Sequence, residues 1–295
     1  MIDIRQSPQF ANFMKDIGWK VEKINSTYIY LRKFPLFGYF AKISRPNPPI
    51  NFDQIITFKK TARIFKLKIA PNILTTHKNY KFYHDLIIHH GFQIETSPYN
   101  PTTTIQIDLT QTEENIFKNF TEAKRRAVRR AIKNSIIVKD SKDINGFIEV
   151  RKKQYFPLGF LVTSEMKKLW QNFYPKNASL LLAYTPSQTL PPSHMQAIAS
   201  IGDNKPLAGI LLLYSENVAY YWFASSLKIG KKLFAPTLLV WEAIKLAKKR
   251  GCKILDFEGI YDERFPKASE SWKGFTKFKE GFGGEKVVFM ENFSL

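Results

Sequence analysis

The chain reads as one plan used twice: two strands, a breaker or basic loop, a helix, and one more strand. In the first copy, residues 26–34 and 38–43 form a strand pair and Arg45-Pro46-Asn47-Pro48-Pro49 breaks the chain. A helical pattern then covers about 52–63 and a strand covers 64–69. In the second copy, residues 207–214 and 218–224 make a hairpin around Ser215-Glu216-Asn217, a basic loop follows, and a helix over 236–250 leads to a strand over 253–257. Both ends of that helix are marked. Pro236 suits its first turn, and Leu239, Ala243, Leu246 and Ala247 recur on one side. Lys248, Lys249 and Arg250 complement its C-terminal dipole, and Gly251 ends it. The copies share no residue-level identity, so the duplication is one of pattern.

With 295 residues the chain is long for one ordinary domain and comfortable for two, and its 44% of hydrophobic residues supply a core. Lys and Arg number 45 against 25 Asp and Glu, a formal charge of +20. Such a balance points to a polyanionic partner: nucleic acid, an anionic membrane surface or a phosphorylated substrate. Cys252 is the only cysteine, which excludes an intrachain disulfide and a cysteine-based metal cluster and suggests a reducing compartment. His84, His89 and His90 lack acidic or cysteine partners at ligand spacing and read as surface residues, with no metal site. No stretch approaches the roughly 20 apolar residues of a membrane span. The start, Met1-Ile2-Asp3-Ile4-Arg5, lacks a basic segment followed by an apolar one, so a cytoplasmic location is expected. Peripheral contact with an anionic membrane through basic and aromatic residues stays open.

Between the copies, Ser97-Pro98-Tyr99-Asn100-Pro101 breaks the chain, residues 104–108 alternate as a strand, and Thr110-Gln111-Thr112-Glu113 offers a capping box. A basic helix near 121–134 follows. Its Ala127, Val128, Ala131 and Ile132 fall on one arc, and Arg125, Arg126, Arg129, Arg130 and Lys133 on the other. Most charge runs are simply solvated. Here no acid occurs between Glu122 and Asp140, and unrelieved repulsion favours a phosphate-contacting role. The stretch Lys273-Gly274-Phe275-Thr276-Lys277-Phe278-Lys279-Glu280-Gly281-Phe282-Gly283-Gly284 sets three cations among aromatics and glycines, a place to hold an anion.

These residues resemble the Fem (FemABX) family of peptidoglycan bridge-forming, tRNA-dependent aminoacyltransferases. The resemblance runs along nearly the whole chain and is strongest after about residue 205. Gln6-Ser7-Pro8-Gln9-Phe10 with Gly18-Trp19 is similar to the family's opening, and Arg32-Lys33-Phe34-Pro35-Leu36 to its basic-Leu-Pro-Leu stretch. Thr104-Ile105-Gln106-Ile107-Asp108-Leu109 resembles its Thr-x-x-x-Asp-Leu element, and Arg125, Arg129 and Ala131 its Arg-x-x-x-Arg-x-Ala helix. Tyr220 to Ser225, Ala235-Pro236, Trp241-Glu242 and Phe278-Lys279-x-x-Phe282-Gly283-Gly284 follow in the family's order. No single motif is decisive, but the ordered set is specific.

The resemblance implies an α/β (α+β) fold of two GNAT-like domains, each a mixed sheet flanked by helices. The first domain would span 1–110 and the second 111–283, with 284–295 returning to the first. It implies transfer of an amino acid from aminoacyl-tRNA, as co-substrate and without another cofactor, to an amine of a peptidoglycan precursor. An aminoacyl ester is already activated, so the enzyme must mainly position the reactants and stabilise an oxyanion. Lys279 and Asp108 are then the catalytic candidates, and Lys33, Tyr221 and Phe278 would bind substrate. Arg125, Arg126, Arg129, Arg130 and Lys133 would contact tRNA.

The bland readings are a surface lysine for Lys279, a cap-region acid for Asp108, a strand-edge cation for Lys33 and a core aromatic for Tyr221. Two departures matter. Where members with a nucleotide-linked acceptor carry Arg-Asp-Gly-Phe, this chain has Pro157-Leu158-Gly159-Phe160, which favours a lipid-linked acceptor. No heptad segment for a coiled-coil arm is present. The rival readings are an acyl-CoA-dependent N-acyltransferase and a non-catalytic RNA-binding protein. The first needs a glycine-rich pyrophosphate turn, and Leu227-Lys228-Ile229-Gly230-Lys231-Lys232 fits it poorly.

Overall fold

The structure is a computed structural model and describes residues 2–185 and 205–295. It divides into two compact units: Met1–Ile105 with Glu258–Thr276 and Lys286–Leu295, and Gln106–Phe257 with Lys277–Glu285. The family resemblance places residues 258–276 in the second domain, over 111–283. They group instead with the first unit, for a local reason. The buried carboxylate of Asp262 accepts hydrogen bonds from the hydroxyls of Thr102 (2.6 Å) and Thr103 (2.7 Å) and from Arg264 (2.8 Å). Ile260 N–H donates to the Thr103 carbonyl at 3.0 Å. Unpaired, that carboxylate would be costly to bury.

The sheet of the first unit contains β1 (Lys20–Ile24), β2 (Thr27–Phe34), β3 (Gly38–Ser44), β4 (Ile64–Ala70), β5 (Gln93–Ile94) and β13 (Phe293–Ser294). Their order is β1-β2-β3-β4-β13-β5. β2 and β3 are antiparallel and β3 and β4 parallel, joined by the helix Phe52–Thr61. Asn51 caps that helix by accepting from Gln54 N–H, and its Phe52 and Ile55 turn into a core with Ile29, Leu31, Leu67 and Phe293. The tip of the β2–β3 hairpin needs Gly38, whose φ is +93° and whose Cβ, if present, would lie 2.3 Å from the Arg63 carbonyl oxygen.

The second sheet contains β6 (Thr103–Asp108), β7 (Ile137–Ser141), β8 (Ala178–Tyr184), β9 (Ala208–Ser215), β10 (Val218–Ser226), β11 (Ile254–Asp256) and β12 (Glu285–Val288), in the order β12-β6-β11-β10-β9-β8-β7. Every residue of β9 is buried, as suits a central strand with both faces covered. β9 and β10 are antiparallel, β10 and β11 parallel, and the helix Ala235–Lys249 connects the parallel pair. This is the connectivity of β2, β3 and β4. The duplication read from the sequence is therefore topological.

Two local details differ from the sequence reading. The helix after β6 begins at Glu113 and is capped by Thr112, which accepts from Asn115 N–H, rather than by Thr110. Thr110 is instead engaged by Asp108. His84 and His90 are half-buried, not surface residues. The His84 ring lies 5.8 Å from that of Phe293 and the His90 ring 5.3 Å from that of Phe52.

Candidate functional site

Lys279 lies on the helix Lys273–Glu280 and is buried at 8% exposure, so it is not the surface lysine of the bland reading. Its Nζ stands 5.9 Å from the centroid of the Tyr221 ring on β10. Tyr221 packs on Phe257 at 5.4 Å, Phe257 on Phe282 at 5.8 Å and Phe282 on Phe278 at 5.1 Å. Burial raises the pKa of the Tyr221 phenol well above its ordinary value, so the group stays a neutral donor. Three of the predicted residues, Lys279, Tyr221 and Phe278, thus meet around one aromatic cluster. A cation kept there is little screened by water and acts strongly on any nearby negative charge.

Gly281 and Gly283 of this segment let the backbone approach the protein itself. A Cβ at Gly281 would lie 2.6 Å from Cε of Lys124, and one at Gly283, whose φ is +73°, would lie 2.9 Å from the Asn119 carbonyl oxygen. Thr121 N–H donates to the Gly281 carbonyl at 2.9 Å, which ties this turn to the start of the basic helix.

Lys124 is the residue that sequence reasoning missed. Its Nζ lies 3.7 Å from the Phe278 centroid and 4.7 Å from that of Phe282, and burial lowers its pKa from 10.5 to about 8. A signal was present. Lys124 is three, four and seven residues before Ala127, Val128 and Ala131, the buried positions of its helix, and a charge on a core-facing stripe is uncommon.

Asp108 ends β6 exposed, and its carboxylate accepts from Thr110 N–H (2.8 Å), Thr110 Oγ (2.6 Å) and Gln111 Nε2 (3.4 Å). These bonds from Thr110 hold its pKa below the ordinary aspartate value, which makes it a weak proton acceptor. With Gln106, Asn119, Phe282 and Glu285 it lines a cleft of about 670 Å³. Lys33 lies exposed on β2 of the first unit, in register with Tyr39.

The basic helix runs Glu122–Lys133 and buries Ala127, Val128 and Ala131. Ile132, expected on the buried arc, is 61% exposed, because that stripe is narrower than the arc drawn on the wheel. Arg125 also departs from expectation. Its Nη1 donates to the carbonyls of Lys118 (2.7 Å) and Phe120, so it satisfies the end of the preceding helix instead of facing solvent. Arg126, Arg129, Arg130 and Lys133 are exposed. Arg126 and Arg130 line a cleft of about 350 Å³ with Phe234, over whose ring the Arg130 guanidinium lies at 5.7 Å. Phe234 has a φ of 62°, uncommon for an aromatic residue, at the residue before the helix Ala235–Lys249.

Two mixed sheets flanked by helices, each holding the same strand–strand–helix–strand connectivity, define a tandem GNAT-like α/β fold. The FemAB family model matches residues 192–295, the part that carries Tyr221, Phe278 and Lys279. The fold is similar to that of FemX, with a TM-score of 0.78 and 15% identity over 99% of this chain and 92% of that one. The C-terminal third of the chain is thus similar in sequence to the FemAB family, and the fold of FemX extends over nearly the whole chain. The C-terminal domain of a putative lysylphosphatidylglycerol synthetase from Agrobacterium fabrum is similar too, with a TM-score of 0.63 and 12% identity over 99% of this chain and 88% of that one. So is a tandem GNAT protein from the clavulanic acid biosynthesis pathway, with a TM-score of 0.54 and 9% identity over 92% and 80%. Among curated proteins, no sequence matches.

Among the described residues, no helix is long and apolar enough to cross a membrane, and no group of three or more His, Cys, Asp or Glu is arranged to hold a metal ion.

Proposed function

We propose that the protein is an aminoacyltransferase that moves an amino acid from aminoacyl-tRNA to an amine of the stem peptide of a peptidoglycan precursor, with aminoacyl-tRNA as co-substrate and no other cofactor. The observation that carries this reading is the buried Lys279 beside Tyr221 and Phe278, inside the segment matched by the FemAB family model. In the reaction the acceptor amine attacks the ester carbonyl carbon, the bond from that carbon to the ribose oxygen breaks, and an amide forms. The amine's proton ends on the ribose oxygen. Charge develops on the carbonyl oxygen and then on the leaving ribose oxygen, and a preorganised, poorly hydrated ammonium stabilises both. Tyr221 and Phe278 wall the site and exclude water. Asp108, exposed at the end of β6, receives or orients the attacking amine.

Arg126, Arg129, Arg130 and Lys133 take tRNA phosphates, and Phe234 beside Arg130 offers a face on which an unpaired base stacks. Lys33 serves a phosphate of the precursor. The acceptor is lipid-linked, since Pro157-Leu158-Gly159-Phe160 supplies no arginine where a nucleotide-linked acceptor would need one. The protein then works at the inner face of the membrane without crossing it. Against the acyl-CoA reading stands Gly230. A Cβ there would lie 2.8 Å from the Leu207 carbonyl oxygen and 2.8 Å from Ser226 Oγ, so this glycine serves packing and not a pyrophosphate.

A transfer assay with a mixture of labelled aminoacyl-tRNAs and either lipid-linked or nucleotide-linked precursor tests the proposal. Movement of label to the lipid-linked form is expected. Acetyl-CoA turnover with no transfer from any charged tRNA would replace it with the rival reading.

A further inference from the structure

A run of apolar side chains in the second unit faces solvent although the backbone beneath it is tightly built. Tyr155 is 40% exposed, Phe156 85%, Leu158 58%, Phe160 63%, Leu161 60% and Val162 36%. Isolated exposed apolar residues are ordinary, but six within eight positions are not. The segment is anchored from below. Gly159 is buried, and a Cβ on it would lie 2.5 Å from both Cα and the carbonyl oxygen of Lys152 on the helix Ile144–Gln154. Thr163 Oγ donates to the Gly159 carbonyl at 2.9 Å. Arg151 reaches under the loop: its Nε donates to the Val162 carbonyl at 3.3 Å and its Nη1 to Ser225 Oγ at 3.1 Å, while its guanidinium lies 5.0 Å from the Tyr155 ring and 4.6 Å from that of Phe223. The loop therefore satisfies polar groups inward and presents hydrocarbon outward.

Charge decides between partners. No ionised residue interrupts 155–164, and the flanking segments 144–154 and 165–173 hold five cations, Arg151, Lys152, Lys153, Lys167 and Lys168, against the acids Glu149 and Glu165. In a chain of net charge +20, pairing with a second copy brings like charges together, whereas an apolar tip with a basic collar matches the hydrocarbon and headgroups of an anionic bilayer.

We propose that the loop Tyr155–Val162 inserts into the surface of an anionic lipid bilayer and holds the protein there. The proposal deepens the reading above, in which the acceptor is lipid-linked, by naming the surface that meets the membrane.

The test is sedimentation of the purified full chain with vesicles of phosphatidylcholine, with and without phosphatidylglycerol. Wild type is expected to bind the anionic vesicles at least about tenfold more tightly than the neutral ones. Phe156→Ser/Phe160→Ser should lose at least about tenfold of that partitioning. Phe160→Trp should keep it, and so should Phe82→Ser, which removes an equally exposed aromatic ring from the first unit. All these positions are exposed, and an unchanged circular dichroism spectrum verifies folding of each variant. Absence of wild-type binding, or equal binding by the double variant, overturns the proposal. So does self-association that the double variant abolishes while vesicle binding persists, which would make the loop a protein interface. Vesicle binding lost in the double variant, with no transfer by wild type to a lipid-linked acceptor, sustains the loop and sinks the acceptor assignment instead.

Discussion

The ammonium of Lys124 lies 3.7 Å from the centroid of the Phe278 ring, which stands one residue before Lys279. The basic helix and the C-terminal segment thereby share a half-buried cation held in aromatic surroundings, at a distance where cation–π attraction acts. Electrostatics at the site are thus set by two lysines drawn out of solvent, of which only one was legible in the sequence.

That desolvation has a pH signature. The folded-state pKa of Lys124 is depressed to about 8 against 10.5 when solvated, so the charged form costs stability at all pH values below about 8. As pH rises from about 8 to 10.5 the unfolded chain holds more protons than the folded one, and stability rises. Lys124→Met lacks this dependence. The stability of wild type relative to Lys124→Met should increase by about 1–3 kcal/mol across that interval, measured by urea denaturation of both proteins at each end. A constant difference would refute the depressed pKa.

Gly281→Ala tests the close approach directly. The new methyl meets Cε of Lys124 at 2.6 Å and Cγ at 2.9 Å, and the lysine has little room to yield between two rings. A loss of about 1–2 kcal/mol is expected. In the Lys124→Ala background the same substitution should cost almost nothing, and a double-mutant cycle reads the coupling. Additive effects would show that Gly281 is needed for another reason.

For the basic helix, Arg126→Glu/Arg130→Glu should weaken tRNA binding and flatten its log–log salt slope by about 0.7 to 0.9 for each phosphate no longer neutralised. Arg125→Ala should leave the slope alone and lower stability by about 1–2 kcal/mol, since its guanidinium serves the carbonyls of Lys118 and Phe120. A slope changed by Arg125→Ala but not by the double reversal would invert the assignment.

Lys279→Met keeps the aliphatic stem and removes the charge. Transfer is expected to slow by about a hundredfold or more, the scale of losing one oxyanion donor, with tRNA affinity nearly unchanged because it is spread over many phosphates. Single-turnover rates and filter binding separate the two effects. A folded variant that transfers at the wild-type rate would make Lys279 structural, and rate and affinity falling in proportion would make it a ground-state binding residue.

The sequence by itself determined what depends on near neighbours along the chain. Alternation and 3.6-residue periodicity marked β2, β3, β9 and β10, and Pro236 and Gly251 marked the ends of the helix over Ala235–Lys249; Gly251 follows that helix with a φ of +82°. The repeated connectivity was legible because each copy is written in one continuous stretch. The motif around Phe278 and Lys279 marked the segment whose lysine the fold buries beside Tyr221. Tertiary structure decided what depends on residues far apart. Lys124 and Phe278 are separated by 154 positions, so although the core-facing stripe of its helix hints at burial, the ring that receives the lysine is written nowhere near it. The same holds for Asp262, whose partners Thr102 and Thr103 draw residues 258–276 into the first unit. It holds in reverse for Arg125, which belonged by pattern with its neighbours but turns back to the helix before it. A residue's type states which interactions it is able to make, and only the packed chain fixes which of them it makes, because burial and pairing are properties of the space around a side chain.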